Sequence, residues 1–304
     1  MDFKKLLRRN ETALIIAIVL LSVIIGAKSP EFYSLANLFD IFRSSFVQLL
    51  FALGVLVVII SGGIDVSFPV VGIFSGYSAV VLMKHFDWNP GNVMLPIALA
   101  VVIGVILGAL NSIAIASFGI PTLIATLGTS GIFRGIMLTF IGSSFISDIP
   151  AALDKFATAD LLKIQPAEGT LARLHVLIIP VVIITILVSL MLNRTMFGRS
   201  VYALGGGVEA TRRLGISIKR TQAKVYMFVG GISGLAGILY VSLQRKANPY
   251  DLYGSELDII AAVVLGGASI MGGYGTVFGT VLGVLLISLI TFVVVVLISA
   301  LGNR

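Results

Sequence analysis

Eight stretches of this chain are apolar and long enough to cross a bilayer as helices: roughly residues 12–28, 44–61, 64–83, 93–117, 121–142, 174–193, 223–243 and 276–301. Backbone in hydrocarbon must satisfy its own hydrogen bonds, so these runs are expected as helices. A ninth stretch, 257–271, is shorter and either crosses or re-enters. The expectation is an all-α polytopic membrane protein of about 8–10 transmembrane helices. Gly-interrupted segments are expected in it, with room for a re-entrant one. Composition agrees: 58% of residues are hydrophobic and 12% charged, where a soluble domain carries about a quarter charged. Residues 1–304 read as a single transmembrane domain in a lipid bilayer.

Charge then orients the threading. The segment Arg194–Lys224 holds seven bases (Arg194, Arg199, Arg212, Arg213, Lys219, Arg220, Lys224) against one acid, Glu209. With the N-terminal residues, it makes eleven bases to three acids, against eight to ten for 28–43, 84–92, 143–173 and 244–258. Lys and Arg accumulate in cytoplasmic loops, so the N-terminus and 194–224 are expected inside and the other four stretches outside. Lys4, Lys5, Arg8 and Arg9 before the first run resemble a signal peptide, but no small-residue cleavage site of the expected kind follows. The run is read as a retained helix. The net charge of +7 is thereby spent on topology, and nucleic acid is not expected as a partner.

Several chemistries are excluded. The chain has no Cys and two His, His85 and His175, so disulfides, thiolate sites and a histidine metal cluster are not expected. There is no Gly-x4-Gly-Lys-Ser/Thr phosphate loop. No cofactor is expected, and neither is enzymatic activity.

Within the long outer stretch, Asp148 and Pro150 suggest the cap and first turn of a helix that groups Leu153, Phe156 and Ala157 on one face. Gly104/Gly108, Gly230/Gly234 and Gly279/Gly283, with Gly128 a weaker case, have the small-xxx-small spacing that lets helices approach closely in lipid. They are read as packing sites. A weak echo links 57–72 and 261–279, each an apolar run, a Gly-Gly break and a second apolar run.

Ser61-Gly62-Gly63-Ile64-Asp65-Val66-Ser67 interrupts two spans, and an ionisable residue there must face water, a cavity or a partner. Asp65 either caps the next helix or lines a hydrated path. Asn111, Thr126, Thr129 and Arg134 are polar on otherwise apolar helices, so they either hydrogen-bond between helices or face a polar solute. In the basic loop, Glu209-Ala210-Thr211 with Gly215 six residues after the Glu reads as a short helix closed by a left-handed glycine. Such a loop looks like a docking surface for a cytoplasmic partner.

These pieces occur in an order that resembles a known family: ISGGIDVS, GALN, PTLIATLGT-x4-RG, GRSVYALGGGVEATRRLGI and ELDIIAAVVLGGASIMGGYGTVFGT. The chain is similar over about residues 40–290 to the membrane permeases of bacterial ATP-binding-cassette importers for monosaccharides, the ribose, arabinose, xylose and autoinducer-2 permeases. The resemblance implies a bacterial inner-membrane subunit that works with a second permease subunit (identical or paralogous), a cytoplasmic ATPase and an external solute-binding protein, on a small sugar or sugar-like solute. Glu209, Ala210 and Gly215 match the family's coupling-loop pattern, with Thr211 in place of its second Ala, and Arg212 and Arg213 lie between. The implied solute path takes in Gly62, Gly63, Asp65, Asn111, Thr126, Thr129 and Arg134. Phe68-Pro69 departs from the small residue and Gly usual in sugar permeases. Members also usually continue one helix further, so 276–301 must serve for the final helices or the chain is short by one. A stand-alone secondary transporter or channel would be expected to carry paired intramembrane carboxylates, and here Asp65 is alone. A membrane enzyme would need a histidine cluster or an acid pair within one span.

Overall fold

The computed structural model describes residues 10–88, 91–165 and 170–302. The chain runs through α1 (Asn10–Lys28), α2 (Leu35–Ile60), α3 (Phe68–His85), α4 (Met94–Ser112) and α5 (Thr122–Ile136). A widened π-type turn extends α4 over Ile113–Ser117 and α5 over Met137–Ile141. After α6 (Ala151–Ala157) and a hairpin of β1 (Asp160–Ile164) and β2 (Ala172–His175) come α7 (Ile178–Arg194), α8 (Met196–Gly206), α9 (Val208–Arg213), α10 (Ile218–Gln244), α11 (Glu256–Leu265) and α12 (Val277–Gly302). Among the described residues seven helices are long and apolar enough to cross a membrane, or eight when the pair α7–α8, bent by 69°, counts as one span. The chain is an all-α polytopic membrane protein.

Local chemistry sets the breaks. Ser34 caps α2 by accepting from the Asn37 N–H. At the other end Gly62, at φ +83°, turns the chain, donating to the Ile59 carbonyl while Gly63 donates to Val58. That is a Schellman ending. α11 ends alike: Gly267 donates to Val264 and Ala268 to Val263. The two halves of the sequence echo thus take the same helix–glycine turn–helix course, and they meet, because the Gly273 N–H donates to the Ile60 carbonyl at 2.8 Å. Thr195 opens the 69° bend and caps α8 through the Gly198 N–H.

α10 is the hub. Alanine-sized side chains would not fit where it crosses α4: a Cβ at Gly104 or Gly108 would meet the carbonyl of Gly230 or Tyr226, and one at Gly234 the carbonyl of Ala100. Those pairings run antiparallel. α3 crosses α10 in parallel, Gly72 and Gly76 against Gly237. Gly279 and Gly283 seat α12 on Gly266 and Ala262 of the α11 segment. Gly128 stands apart, with open space where a Cβ would be.

The bundle has two distinct ends. One gathers 61–67, 195–217 and 266–276, through Ile60, Gly205 and Gly273. The other gathers the 142–177 insertion and 245–255: Ser242 donates to the Leu153 carbonyl, Arg245 pairs with Asp154 at 2.7 Å, and Ile146 bridges Ala247.

Three expectations need correction. Residues 35–43 are not loop but the first turns of α2, so Asp40 and Arg43 stand on a helix. Of the two courses expected for 257–271, the full crossing fails and the re-entrant one stands; α11 has ten residues, about 15 Å at 1.5 Å per residue and so about half the core. Asp148 does not cap α6. It pairs with Lys84 at 2.9 Å, and Pro150 holds the N-cap with φ −51° and ψ 136°. The hairpin after α6 carries no alternating hydrophobic signal, which is why periodicity missed it.

Candidate functional site

The break between α2 and α3 is polar and buried. The Asp65 carboxylate Oδ1 accepts from the Ser67 N–H and hydroxyl, both at 2.7 Å, and the Ser67 hydroxyl in turn accepts from Asn111 Nδ2 at 2.8 Å. Asp65 is only 3% exposed and forms no ion pair among the described residues. It braces the α3 N-cap, Ser67, and does not itself cap the helix. α5 is stitched to the same break, since Thr122 Oγ1 accepts from the Ile64 N–H at 3.0 Å and Thr126 Oγ1 from the Val66 N–H at 3.3 Å. Gly63 leaves room for the buried Tyr226 hydroxyl, and Asn111 Oδ1 is buried without a partner among the described residues. Such an unpartnered group costs about 1–3 kcal/mol.

The site residues therefore divide. Gly63, Asp65, Asn111 and Thr126 are buried in this seam, while Gly62, Thr129 and Arg134 reach the surface wholly or in part. Arg134 lies on the outward face of α5. Its guanidinium sits 4.0 Å over the Tyr253 ring, a contact worth about 0.5–2 kcal/mol. Gly128, Gly131 and Gly135 share α5 with it, and nothing lies within 4 Å of where their Cβ atoms would be.

The third element is α9. Gly215, at φ +73°, closes it: its N–H donates to Arg212 and that of Ile216 to Thr211, again a Schellman ending. Glu209, Ala210, Arg212, Arg213 and Gly215 are all exposed. Arg212 pairs with Glu209 at 3.2 Å, an exposed i,i+3 contact worth at most a few tenths of a kcal/mol. Thr211 is the residue that sequence reasoning undervalued. Fully buried, its hydroxyl contacts the Ala203 carbonyl at 2.6 Å and that of Gly207 at 2.8 Å, pinning α9 to α8. Its position inside the coupling-loop pattern was the available signal. Tyr253 gave none, because only the fold brings it to Arg134. α8 is tied onward, its Tyr202 hydroxyl donating to the Gly275 carbonyl at 2.7 Å. A chain of direct contacts thus runs from α9 through α8 and the 266–276 turn to the 61–67 break and α5.

The family model described as "Branched-chain amino acid transport system / permease component" matches residues 37–302. The chain belongs to this permease family. Among its curated relatives, the autoinducer 2 import system permease protein LsrC of Salmonella typhi is 34% identical over 291 residues, covering 95% of this chain and 79% of the relative. The LsrC proteins of Enterobacter sp. (32% over 292 residues, 96% and 81%) and Yersinia pseudotuberculosis (34% over 289 residues, 95% and 78%) are similar in extent. No solved structure matches the chain. The chain is a multi-pass permease component of a transport system, and not an enzyme.

Proposed function

We propose that this permease carries a small sugar or sugar-like solute, of the kind represented by autoinducer 2 in its relatives' names, inward across the bacterial inner membrane. In this reading an external binding protein delivers the solute. Two permease subunits, in a homo- or heterodimer, enclose the path between their α5 faces. The N-terminus and 194–224 face the cytoplasm, as the excess of bases favours.

The observation that carries the reading is α9. A short helix, exposed on every residue but one and ended by a left-handed glycine, projects from the basic loop. At its two ends Val208 and Leu214 expose apolar side chains, Leu214 at 71%. Exposed apolar groups rimmed by Arg212 and Arg213 suit a groove with acidic edges on an ATPase. Residues 194–224 act as the coupling loop, with Glu209, Ala210, Arg212, Arg213 and Gly215 at the contact. When the ATPases close, α9 moves α8, and the contacts through Thr211, Tyr202 and Gly273 pass the shift to the 61–67 break and α5.

The path residues then have two roles. Thr129 and Arg134 present weak, neutral or donor groups to the solute, with Gly62 at the inner end. Gly63, Asp65, Asn111 and Thr126 act from behind, fixing where α5 stands. The absence of paired intramembrane carboxylates weighs against ion-driven transport by the subunit alone.

Gly215→Val tests the coupling. A β-branched residue resists positive φ, so the variant is expected to reach the membrane folded yet lose solute-stimulated ATP hydrolysis and uptake. Co-purification with the ATPase and unaltered stimulation would refute the seat at α9. Uptake that continues without any ATPase would favour the stand-alone transporter instead.

A further inference from the structure

At the end of the bundle that bears the hairpin, α2, α10 and α11 enclose an open cavity of about 420 Å³, within one subunit. α5 contributes nothing to its wall. Asp40, Arg43, Gln48 and Phe51 of α2 face it, at spacings that share one side of a helix, with Tyr240 and Gln244 of α10 opposite. Asp40 and Arg43 form no ion pair among the described residues. Gln48, which lines the cavity, uses its Oε1 to accept from Ser288 at 3.2 Å. It is the fourteenth residue of α2, about 20 Å along a helix that rises 1.5 Å per residue. The polar wall therefore descends toward mid-membrane depth, where such groups need water or a ligand.

The lining selects a chemistry. The carboxylate offers acceptors alone, the guanidinium donors alone, and the two amides both. A hydroxyl is both donor and acceptor, so a run of adjacent hydroxyls can satisfy all four, while an aromatic ring covers a C–H face. The volume lies within the range of small-molecule sites. We propose that this cavity is a second solute site of the permease, binding a small, neutral, polyhydroxylated molecule inside each subunit and apart from the α5 face. Its ligand class rests on the sugar-importer reading; its existence does not.

The test uses the full-length permease in lipid nanodiscs, with D-ribose as the probe and L-leucine as a zwitterionic comparison, followed by saturation-transfer-difference NMR. Saturable ribose binding is expected, at least tenfold weaker in Gln48→Leu and in Gln244→Leu. Gln244 stands exposed at the rim, so its variant keeps the test open should Gln48→Leu fail to fold. Absent ribose binding in folded protein, equal binding in both variants, or binding of leucine without ribose would each overturn the proposal. Ribose bound in the cavity but never taken up with the ATPase present would instead count against the importer reading, leaving the cavity in place.

Discussion

α10 and α5 are both apolar helices rich in glycine at helical spacing, and the fold treats them in opposite ways. In its most apolar window α10 is 78% buried, and α5 22%. Gly230, Gly234 and Gly237 of α10 meet backbone carbonyls of α3 and α4, whereas Gly128, Gly131 and Gly135 of α5 meet nothing within 4 Å. Glycine spacing in a membrane helix thus identifies a face that tolerates close approach without saying whether the approach is made within the subunit. A face holding Arg134 and three open glycines is poorly suited to lipid, since a cation in hydrocarbon costs about 2.5–3.5 kcal/mol or more. The proposed second subunit, with a hydrated path between, would supply its complement.

The sharpest way to break this contrast is to place the same side chain on both helices. Gly104→Leu drives a side chain into the Gly230 carbonyl. It is expected to cost about 3 kcal/mol or more and to remove folded protein from the membrane, as read by size-exclusion of detergent extracts. Gly131→Leu should leave monomer stability within about 0.5 kcal/mol of the parent while reducing subunit association and uptake. Equal loss of folded protein in the two would end the distinction.

A smaller effect is expected behind the α5 face. Asn111→Leu removes the donor to Ser67 and loosens the brace on Asp65, at about 1–3 kcal/mol. Uptake should slow several-fold while the binding protein's affinity for free solute stays unchanged. Normal uptake by a well-folded variant would show that the seam does not govern α5. Smaller again in stability is Arg134→Ala, which forfeits about 1 kcal/mol of contact with Tyr253. Its signature is a fall in uptake with a drop of only a few degrees (~2–4 °C) in thermal midpoint, and unchanged uptake would remove Arg134 from the path.

The least effect belongs to the far end of the bundle. Nε2 of His175 lies 2.9 Å from the Ala157 carbonyl, and its Nδ1 accepts from the Leu177 N–H at 3.0 Å. Both nitrogens are satisfied by the neutral ring. Burial lowers its pKa below 6.5, helped by Arg43 and opposed by Ala157 and Asp160. The folded state resists the proton, so this contribution is complete above pH 6.5 and declines as the pH falls toward the folded value. Hydrogen exchange of 157–177 should accelerate at pH 5.5 relative to 7.5, corrected for intrinsic rates, and His175→Gln should erase that difference. An identical profile in the variant would assign the acid sensitivity elsewhere.

How much of this was legible in the sequence differs from element to element. The eight apolar runs determined an all-α membrane bundle, because hydrocarbon leaves backbone polar groups no other partner. Glu209-Ala210 with Gly215 determined a short helix with a left-handed end, because few residues but glycine adopt that turn freely. Those are local or solvent-imposed constraints, written in consecutive residues. Tertiary structure alone decided which glycines are packed and which are open, and that Asn111 and Thr126 bond to the 61–67 break while Arg134 looks outward. It also decided that Thr211 ties α9 to α8, and that Asp40, Arg43 and Gln48 of α2 share a cavity with Gln244 of α10. Each of those outcomes depends on which helix lies beside which. Periodicity marks a helix face, but the neighbour that covers it comes from distant chain, through packing that no local pattern encodes.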